Sequence, residues 1–353
     1  MITGMEPARV AVVGAGPSGI FAAQAIRNWG ADVRVDIYDR LPTPYGLLRY
    51  GVAPDQTSIK GIQKALARTF EDPGVAFVGH VEFGQDLSRE DLLGAYDAVI
   101  YAAGASEDRR MEIPGEHLPG SRSAREIVAW YSGHPDAEPQ YFDQVRTAVT
   151  IGVGNVAVDV ARILSKSTDE FRSTDMPPAV LETLEHSSVQ DVWINGLPGP
   201  QHSSFTTVEL RKLLQTPGIQ PVVHPGTLEG IDEESLDRRT RANVEAIRKA
   251  ATRHVPGAHT RLHLLFWHLP VAIEGAGRVK RLVLEKTRLD EEGRVASTGE
   301  RTVLECEAVL RAIGYRGQPL PGIPFDPARG VVPNEGGRIL SEHGGFLGRE
   351  YVV

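Results

Sequence analysis

The sequence has 353 residues, more than one ordinary domain and enough for two. It is 41% hydrophobic and 24% charged, which places it among globular chains, and a formal net charge of −8 argues against nucleic acid as the main partner. One cysteine, Cys306, excludes an intrachain disulfide, a C-x-x-C redox pair and any cysteine-rich metal or iron–sulfur centre, so any redox chemistry requires a bound cofactor.

In chain order, residues 9–13 read as a buried strand and 14–19 as a glycine-rich turn. A helix follows at 20–29, and a second strand at 34–38 ends at Asp39. A Pro/Gly-rich loop covers 41–55, a helix is expected at 58–71, and another strand ending in glycine at 95–104. The chain is expected to leave this domain near Ile113-Pro114-Gly115, run through a helix at 124–131, and begin a second β–turn–α unit. That unit has a strand at 148–151, a turn at 152–157, a helix to 165 and its next strand at 189–195. It is the one internal repeat. A charged helix at 233–254 and strands at 262–266 and 280–286 complete the insert. A strand-like stretch at 305–315 then returns to the first domain, and 350–353 opens a further strand.

Two motifs carry chemistry. Gly14, Gly16 and Gly19 form G-x-G-x-x-G: the first allows the tight turn, the second lets backbone approach a pyrophosphate, and the third lets helix and strand pack closely. The helix N-terminus that follows offers unpaired N–H groups to phosphate. Asp39 stands twenty residues after Gly19, where a carboxylate accepts ribose hydroxyls. Gly152, Gly154 and Ala157 form the G-x-G-x-x-A variant, but the place of the second ribose acid reads Gly196-Leu197-Pro198-Gly199-Pro200, without acid or arginine. Two such units in one chain suggest one resident nucleotide and one that exchanges, held so that hydride can pass between stacked rings.

These residues resemble a family, the adrenodoxin-reductase type of ferredoxin–NADP reductase with its actinobacterial members, from about Arg9 to Val353. The blocks that match include Val13-Gly14-Ala15-Gly16-Pro17-Ser18-Gly19 and the long, specific Leu41-Pro42-Thr43-Pro44-Tyr45-Gly46-Leu47-Leu48-Arg49-Tyr50-Gly51-Val52-Ala53-Pro54-Asp55. Gly152-Val153-Gly154-Asn155-Val156-Ala157-Val158-Asp159-Val160-Ala161-Arg162, Phe205-Thr206-Thr207-Val208-Glu209-Leu210-Arg211 and Arg311-Ala312-Ile313-Gly314-Tyr315-Arg316-Gly317 match as well. The resemblance implies FAD contacts at the Gly14–Gly19 turn, including Ala15, Pro17 and Ser18, and at Asp39, Leu47 and Phe83. It implies nicotinamide-nucleotide contacts at Gly152, Val153, Gly154, Asn155 and Val156 and at Glu209, with Glu209 and Gln56 as the catalytic candidates. In the family, hydride passes from NADPH to the flavin, which releases single electrons to a small iron–sulfur protein.

Three departures stand out. Leu197 and Pro198 occupy the places of two arginines that clamp the 2′-phosphate of NADP; neither replaces a guanidinium, so a weakened NADP preference is expected and NAD stays open. His202 and Arg211 are the nearby compensating groups. Gln56 stands where the family has a histidine, and it can hydrogen-bond but carries no proton. The family continues into a Gly-Trp…Arg-Gly-Pro-x-Gly segment that covers the flavin ring and the nicotinamide. The expectation is either a fragment, truncated at its C-terminus short of that segment, or a protein that lacks that wall of its active site, which leaves turnover itself open.

Smaller features have plainer readings. Asp159 and Arg162 read as a solvated i, i+3 pair. The run Arg238-Arg239-Thr240-Arg241 with Arg248, Lys249 and Arg253 reads either as a docking stripe for an acidic partner or as an ordinary solvated face. The histidines show no metal-ligand spacing, so no metal site is expected. The longest apolar run, 262–273, contains two histidines and a proline and is too short to span a bilayer, and glycines interrupt the apolar residues 10–13. Cytoplasmic location is the expectation.

The expected fold is therefore α/β with two Rossmann-like dinucleotide-binding domains, the second inserted in the first. The FAD domain comprises 1–112 and 306–353, and the NAD(P) domain 113–305. The expected function is a ferredoxin–NAD(P) reductase: an FAD-dependent oxidoreductase passing electrons from NADPH or NADH through flavin to a ferredoxin. Alternatives are another two-dinucleotide flavin dehydrogenase subunit, as in the glutamate synthase small subunit, or a truncated nucleotide-binding protein without turnover.

Overall fold

The computed structural model describes residues 7–30 and 32–353. The described residues fall into two compact units: those of 7–52, 56–108 and 315–353 form the first, and 53–55 with 109–314 the second.

In the first unit, strand β1 (Ala8–Val13) runs into helix α1 (Pro17–Trp29) and returns as strand β2 (Val33–Asp39). Strands β3 (Val75–Gly79) and β4 (Ala98–Tyr101) extend a parallel sheet in the order β4-β1-β2-β3. Beyond β4 lies the strand Phe346–Val352, parallel to it, followed outward by Arg338–Leu340 and Asn334–Glu335, both antiparallel to their neighbours. Alternation in β1 decides the two faces. Val10 and Val12 pack with Ala23 of α1, while Ala11 and Val13 pack with Tyr101 and Ile339. The junction of the Phe346–Val352 strand with β4 is held by Glu350, which is buried and accepts from Arg89 at 2.5 and 2.8 Å and from the Tyr101 hydroxyl at 3.0 Å. The helix expected at 58–71 is broken into Thr57–Lys60, Ile62–Ala67 and a tight turn at Arg68–Glu71, with Gly61 at the break. Glycine is a poor helix former, and propensity alone does not carry a helix past it.

The second unit holds a six-stranded parallel sheet. Its strands are β5 (Thr147–Ile151), β6 (Asp191–Asn195), β7 (Ile219–Val223), β8 (Thr260–Leu265) and, far along the chain, a strand at Ala308–Arg311 beside Ser121–Ser123. The order is Ser121–Ser123, Ala308–Arg311, β5, β6, β8, β7. Helix α2 (Asn155–Ser165) follows β5, and helices α3 (Thr207–Gln215) and α4 (Arg238–Ala251) follow β6 and β7. A separate antiparallel sheet is formed by β9 (His268–Glu274), β10 (Arg281–Leu289) and β11 (Val295–Glu305).

Two differences from the expected boundaries have clear causes. The strand within 305–315, expected in the first domain, pairs with β5 through Ala308↔Ala148 to Arg311↔Ile151 and lies in the second sheet; the chain re-enters the first unit only at Tyr315. Its Val309 and Leu310 find apolar partners there. The charged helix expected at 233–254 starts at Arg238, because the Asp237 carboxylate caps it by accepting from the Arg239 and Thr240 N–H groups at 2.8 and 3.1 Å.

Candidate functional sites: two phosphate cradles

The same device is built once in each unit. Gly14 has φ +111°, and a Cβ there would lie 2.3 Å from the Ala102 carbonyl oxygen. Gly152 has φ +132°, and its Cβ would lie 2.2 Å from that of Ala312. Each glycine N–H donates to the end of the neighbouring strand, Gly14 to Tyr38 O at 2.7 Å and Gly152 to Asn195 O at 2.9 Å. Only glycine fits at either point.

In the first cradle, Gly19 lies against the turn, since its Cβ would sit 2.0 Å from Gly14 O. Gly16 is different: its Cβ would meet nothing within 4 Å. This open volume lies before the N-terminus of α1, which has no side-chain cap. Backbone N–H groups facing such a space suit a pyrophosphate, and the residues present fit a dinucleotide. Asp39 Oδ2 accepts from Ala15 N–H at 2.7 Å and Oδ1 from Leu41 N–H at 2.9 Å. Each oxygen keeps a further lone pair, so the carboxylate braces the turn and can still accept a ribose hydroxyl.

The long block after Asp39 is the lid of this turn. Tyr45 N–H donates to Ala15 O at 2.7 Å, and a Cβ on Gly46 would lie 2.9 Å from Gly16 Cα. Tyr45 holds φ +89°, a strained value for a non-glycine residue, while its ring is buried beside Phe70. Leu47 follows this contact and is 56% exposed. Phe83 is elsewhere: its ring packs edge-on against Tyr101, among the residues on the opposite face of the sheet from α1. Gln56 is buried, and its backbone carbonyl accepts from Ile59 and Lys60 N–H.

In the second cradle, α2 likewise begins without a side-chain cap. Asn155 Oδ1 accepts from Thr206 N–H at 2.8 Å, and Ser204 and Phe205 N–H groups donate to Val153 O, so the 203–206 loop is fastened onto the turn. Matching Asn195 to Tyr38 by the glycine bonds sets Gly196 where Asp39 stands. A Cβ on Gly196 would lie 2.7 Å from the Phe266 ring and 2.8 Å from Val153 Cγ1, so no carboxylate fits there. Leu197 is 39% exposed, and its carbonyl accepts from the Thr287 hydroxyl at 2.8 Å; Pro198 O receives Trp267 N–H at 3.5 Å.

Behind this cradle lies an ion cluster that sequence reasoning misread. Arg162 is 3% exposed and not the solvated partner expected. It forks onto Asp55 through two 2.9 Å bonds and also meets Asp159 at 2.9 Å and Glu209 at 3.5 Å. Lys166 joins Asp55 at 3.2 Å, and Lys212 joins Glu209 at 3.0 Å. Burial raises the Asp55 pKa, but Arg162 and Lys166 outweigh it and hold the carboxyl below its ordinary range. Burial alone pulls the Arg162 guanidinium down, yet Asp55 and Asp159 hold it above its ordinary value. Glu209 thus sits in a structural cluster at the start of α3, capped by Thr206. Asp55 was missed. Its signal was the match of two distant blocks, one ending in Pro54-Asp55 and the other in Ala161-Arg162.

The basic stripe on α4 is largely spoken for. Arg248 bonds Glu233, Lys249 pairs with Glu245 at 2.6 Å, and Arg241 and Arg253 hold backbone carbonyls. Burial pushes the Cys306 thiol up to about 12, so it is inert packing. No described helix is long and apolar enough to cross a membrane.

Comparison with known proteins agrees with this geometry. Residues 8–343 match the family profile described as pyridine nucleotide-disulphide oxidoreductase. The chain is 43% identical to the NADPH-ferredoxin reductase FprA of Mycobacterium tuberculosis, covering 99% of this chain and 78% of that one. It is 37% identical to the mitochondrial NADPH:adrenodoxin oxidoreductase of Bos taurus, covering 95% and 72%. The structure of Mycobacterium tuberculosis FprA in complex with NADPH superposes with a TM-score of 0.91 at 42% identity, over 98% of this chain and 78% of that one. The chain belongs to the pyridine nucleotide-disulphide oxidoreductase family, on the branch of the NADPH-ferredoxin and adrenodoxin reductases.

Proposed function

We propose that this protein is an FAD-dependent ferredoxin–NAD(P) reductase of the cytoplasm, carrying electrons from a nicotinamide nucleotide to a ferredoxin-type iron–sulfur protein. The observation that carries this reading is the doubled glycine cradle, with open space at Gly16 and a braced carboxylate at Asp39 only in the first copy. That asymmetry suits one tightly held dinucleotide and one that exchanges. When bound, flavin takes up a hydride and gives up electrons singly, which is what joins a two-electron donor to a one-electron acceptor.

The chain's own residues bind and orient. The Gly14–Gly19 turn and the N-terminus of α1 hold the FAD pyrophosphate, and Asp39 holds its ribose while fixing Ala15. Leu47 offers an exposed apolar contact beside that turn. Gly152 to Val156 hold the nicotinamide nucleotide. Glu209 acts as a positioning residue: Arg162 and Lys212 fix its carboxylate, and it anchors the helix whose preceding loop closes on Val153. Gln56 orients by hydrogen bonding and moves no proton.

The test is spectroscopic. The purified protein should carry flavin absorbance, lose it under anaerobic titration with NADPH or NADH, and regain it when oxidised ferredoxin is added. A polypeptide that takes up no flavin from excess FAD would overturn the reading. Bleaching without reoxidation by any ferredoxin would remove the acceptor but leave the dehydrogenase.

A further inference from the structure

The loss of both arginines at 197 and 198 leaves open which group meets the adenosine end of the second nucleotide. Near that turn is a cavity of about 310 Å³, formed within the second unit by Gln201, by the segments that follow β7 and β8, and by β10. Gln201, Trp267, His268, Lys286 and Arg288 line it, with Glu229 as its one acid. It is stitched directly to the 196–198 turn: Thr287, between the two cations, donates its hydroxyl to Leu197 O at 2.8 Å and its N–H to Trp267 O at 2.8 Å. His268 N–H donates to Gly196 O at 3.0 Å.

Several features mark the cavity as built for a ligand. The Gln201 side-chain oxygen is buried without a hydrogen-bond partner among the described residues. Trp267 holds φ +62°, a strained conformation for an aromatic residue, with its indole laid over Gly199, where a Cβ would lie 2.2 Å from the ring. Lys286 is half exposed, and among the described residues its ammonium makes a loose 3.7 Å pairing with Glu300, the kind of surface contact that a ligand phosphate displaces at little cost. Arg288 is exposed on the same strand. Gly196, in the place of the ribose acid, leaves no carboxylate to repel a phosphate at the ribose 2′ position.

We infer that Lys286 and Arg288 bind the 2′-phosphate of NADP(H), replacing from β10 the cations absent at Leu197 and Pro198, with Trp267 as the stacking surface for the adenine. This rests on the nicotinamide-nucleotide reading of the second unit and makes the protein selective for NADPH over NADH. The charge comes from a strand and not from the turn after β6, so it is invisible to a reading of that turn alone.

The test needs no flavin chemistry. Calorimetric titration of the full chain with 2′,5′-ADP and with 5′-AMP reads the phosphate contribution directly. On the order of tenfold tighter binding of 2′,5′-ADP is expected, falling with added salt. In Lys286→Ala with Arg288→Ala the two ligands should bind alike, while 5′-AMP affinity, unchanged, reports an intact fold. Lys286→Arg with Arg288→Lys should retain the preference. A preference that survives the alanine variant, or no preference in the native chain, overturns the inference and leaves the proposed function standing. A native chain that binds neither ligand overturns both.

Discussion

Gly14 and Gly16 stand two residues apart and answer to different constraints. Gly14 is fixed by the fold: φ +111° and a 2.3 Å approach to Ala102 O admit no side chain. Gly14→Ala should cost on the order of 2–3 kcal/mol in urea unfolding. Gly16 is fixed by the ligand, since its Cβ would stand in open space. Gly16→Ala should keep the apoprotein's unfolding midpoint and lose flavin; a variant that still purifies yellow would refute the assignment of that space to pyrophosphate. Arg162 makes the opposite case, a charge required by its neighbours. Arg162→Leu leaves Asp55, Asp159 and Glu209 facing one another, and about 3–5 kcal/mol of stability should be lost. Because the Asp55 pKa is depressed on folding, its contribution is complete above its unfolded value near 3.8 and disappears as pH falls through the lower folded value. Acid titration of stability should show that loss in the native chain and not in Arg162→Leu.

At the level of elements, the second sheet carries a stack that no periodicity reveals. Trp193 of β6 stacks against His263 of β8, 4.1 Å away and nearly parallel, and against His224 just after β7, 4.5 Å away. The two imidazoles bond each other at 3.1 Å, and His263 bonds Asp191 at 2.8 Å. Burial pulls both histidine pKa values down; for His263 this prevails over Asp191, which works in the other direction, and for His224 the charge of His263 adds to it. A depressed folded pKa means that the unfolded chain takes up the proton first. Stability should therefore be full above pH 6.5 and decline below it toward the folded values. NMR titration that finds either ring protonating above 6.5 would contradict the stacking account. Helix α4 is set just as locally: Asp237→Ala removes a cap with two backbone bonds and should cost about 1 kcal/mol.

For the whole molecule, ligand binding and folding are linked. A dinucleotide held only by the folded first cradle should stabilise the apoprotein by roughly 2.7 kcal/mol at a free concentration a hundred times its Kd, an increment missing in Gly16→Ala. The β–turn–α repeats, the acid at position 39 and the family were legible in the sequence. Each is a local pattern of strand, glycine spacing and helix, written in consecutive residues. Tertiary structure alone decided that Ala53–Asp55 belongs with the second unit, that Ala308–Arg311 pairs with β5, and that Arg162 is buried and Glu209 pinned. It also decided that Phe83 packs against Tyr101, that Thr287 bonds the 196–198 turn, and that Lys286 and Arg288 on either side of it line one cavity. The physical reason is range. Backbone conformation and cradle geometry follow from neighbours in sequence, whereas the partner of a charge or an aromatic ring depends on which distant strands the sheet brings side by side.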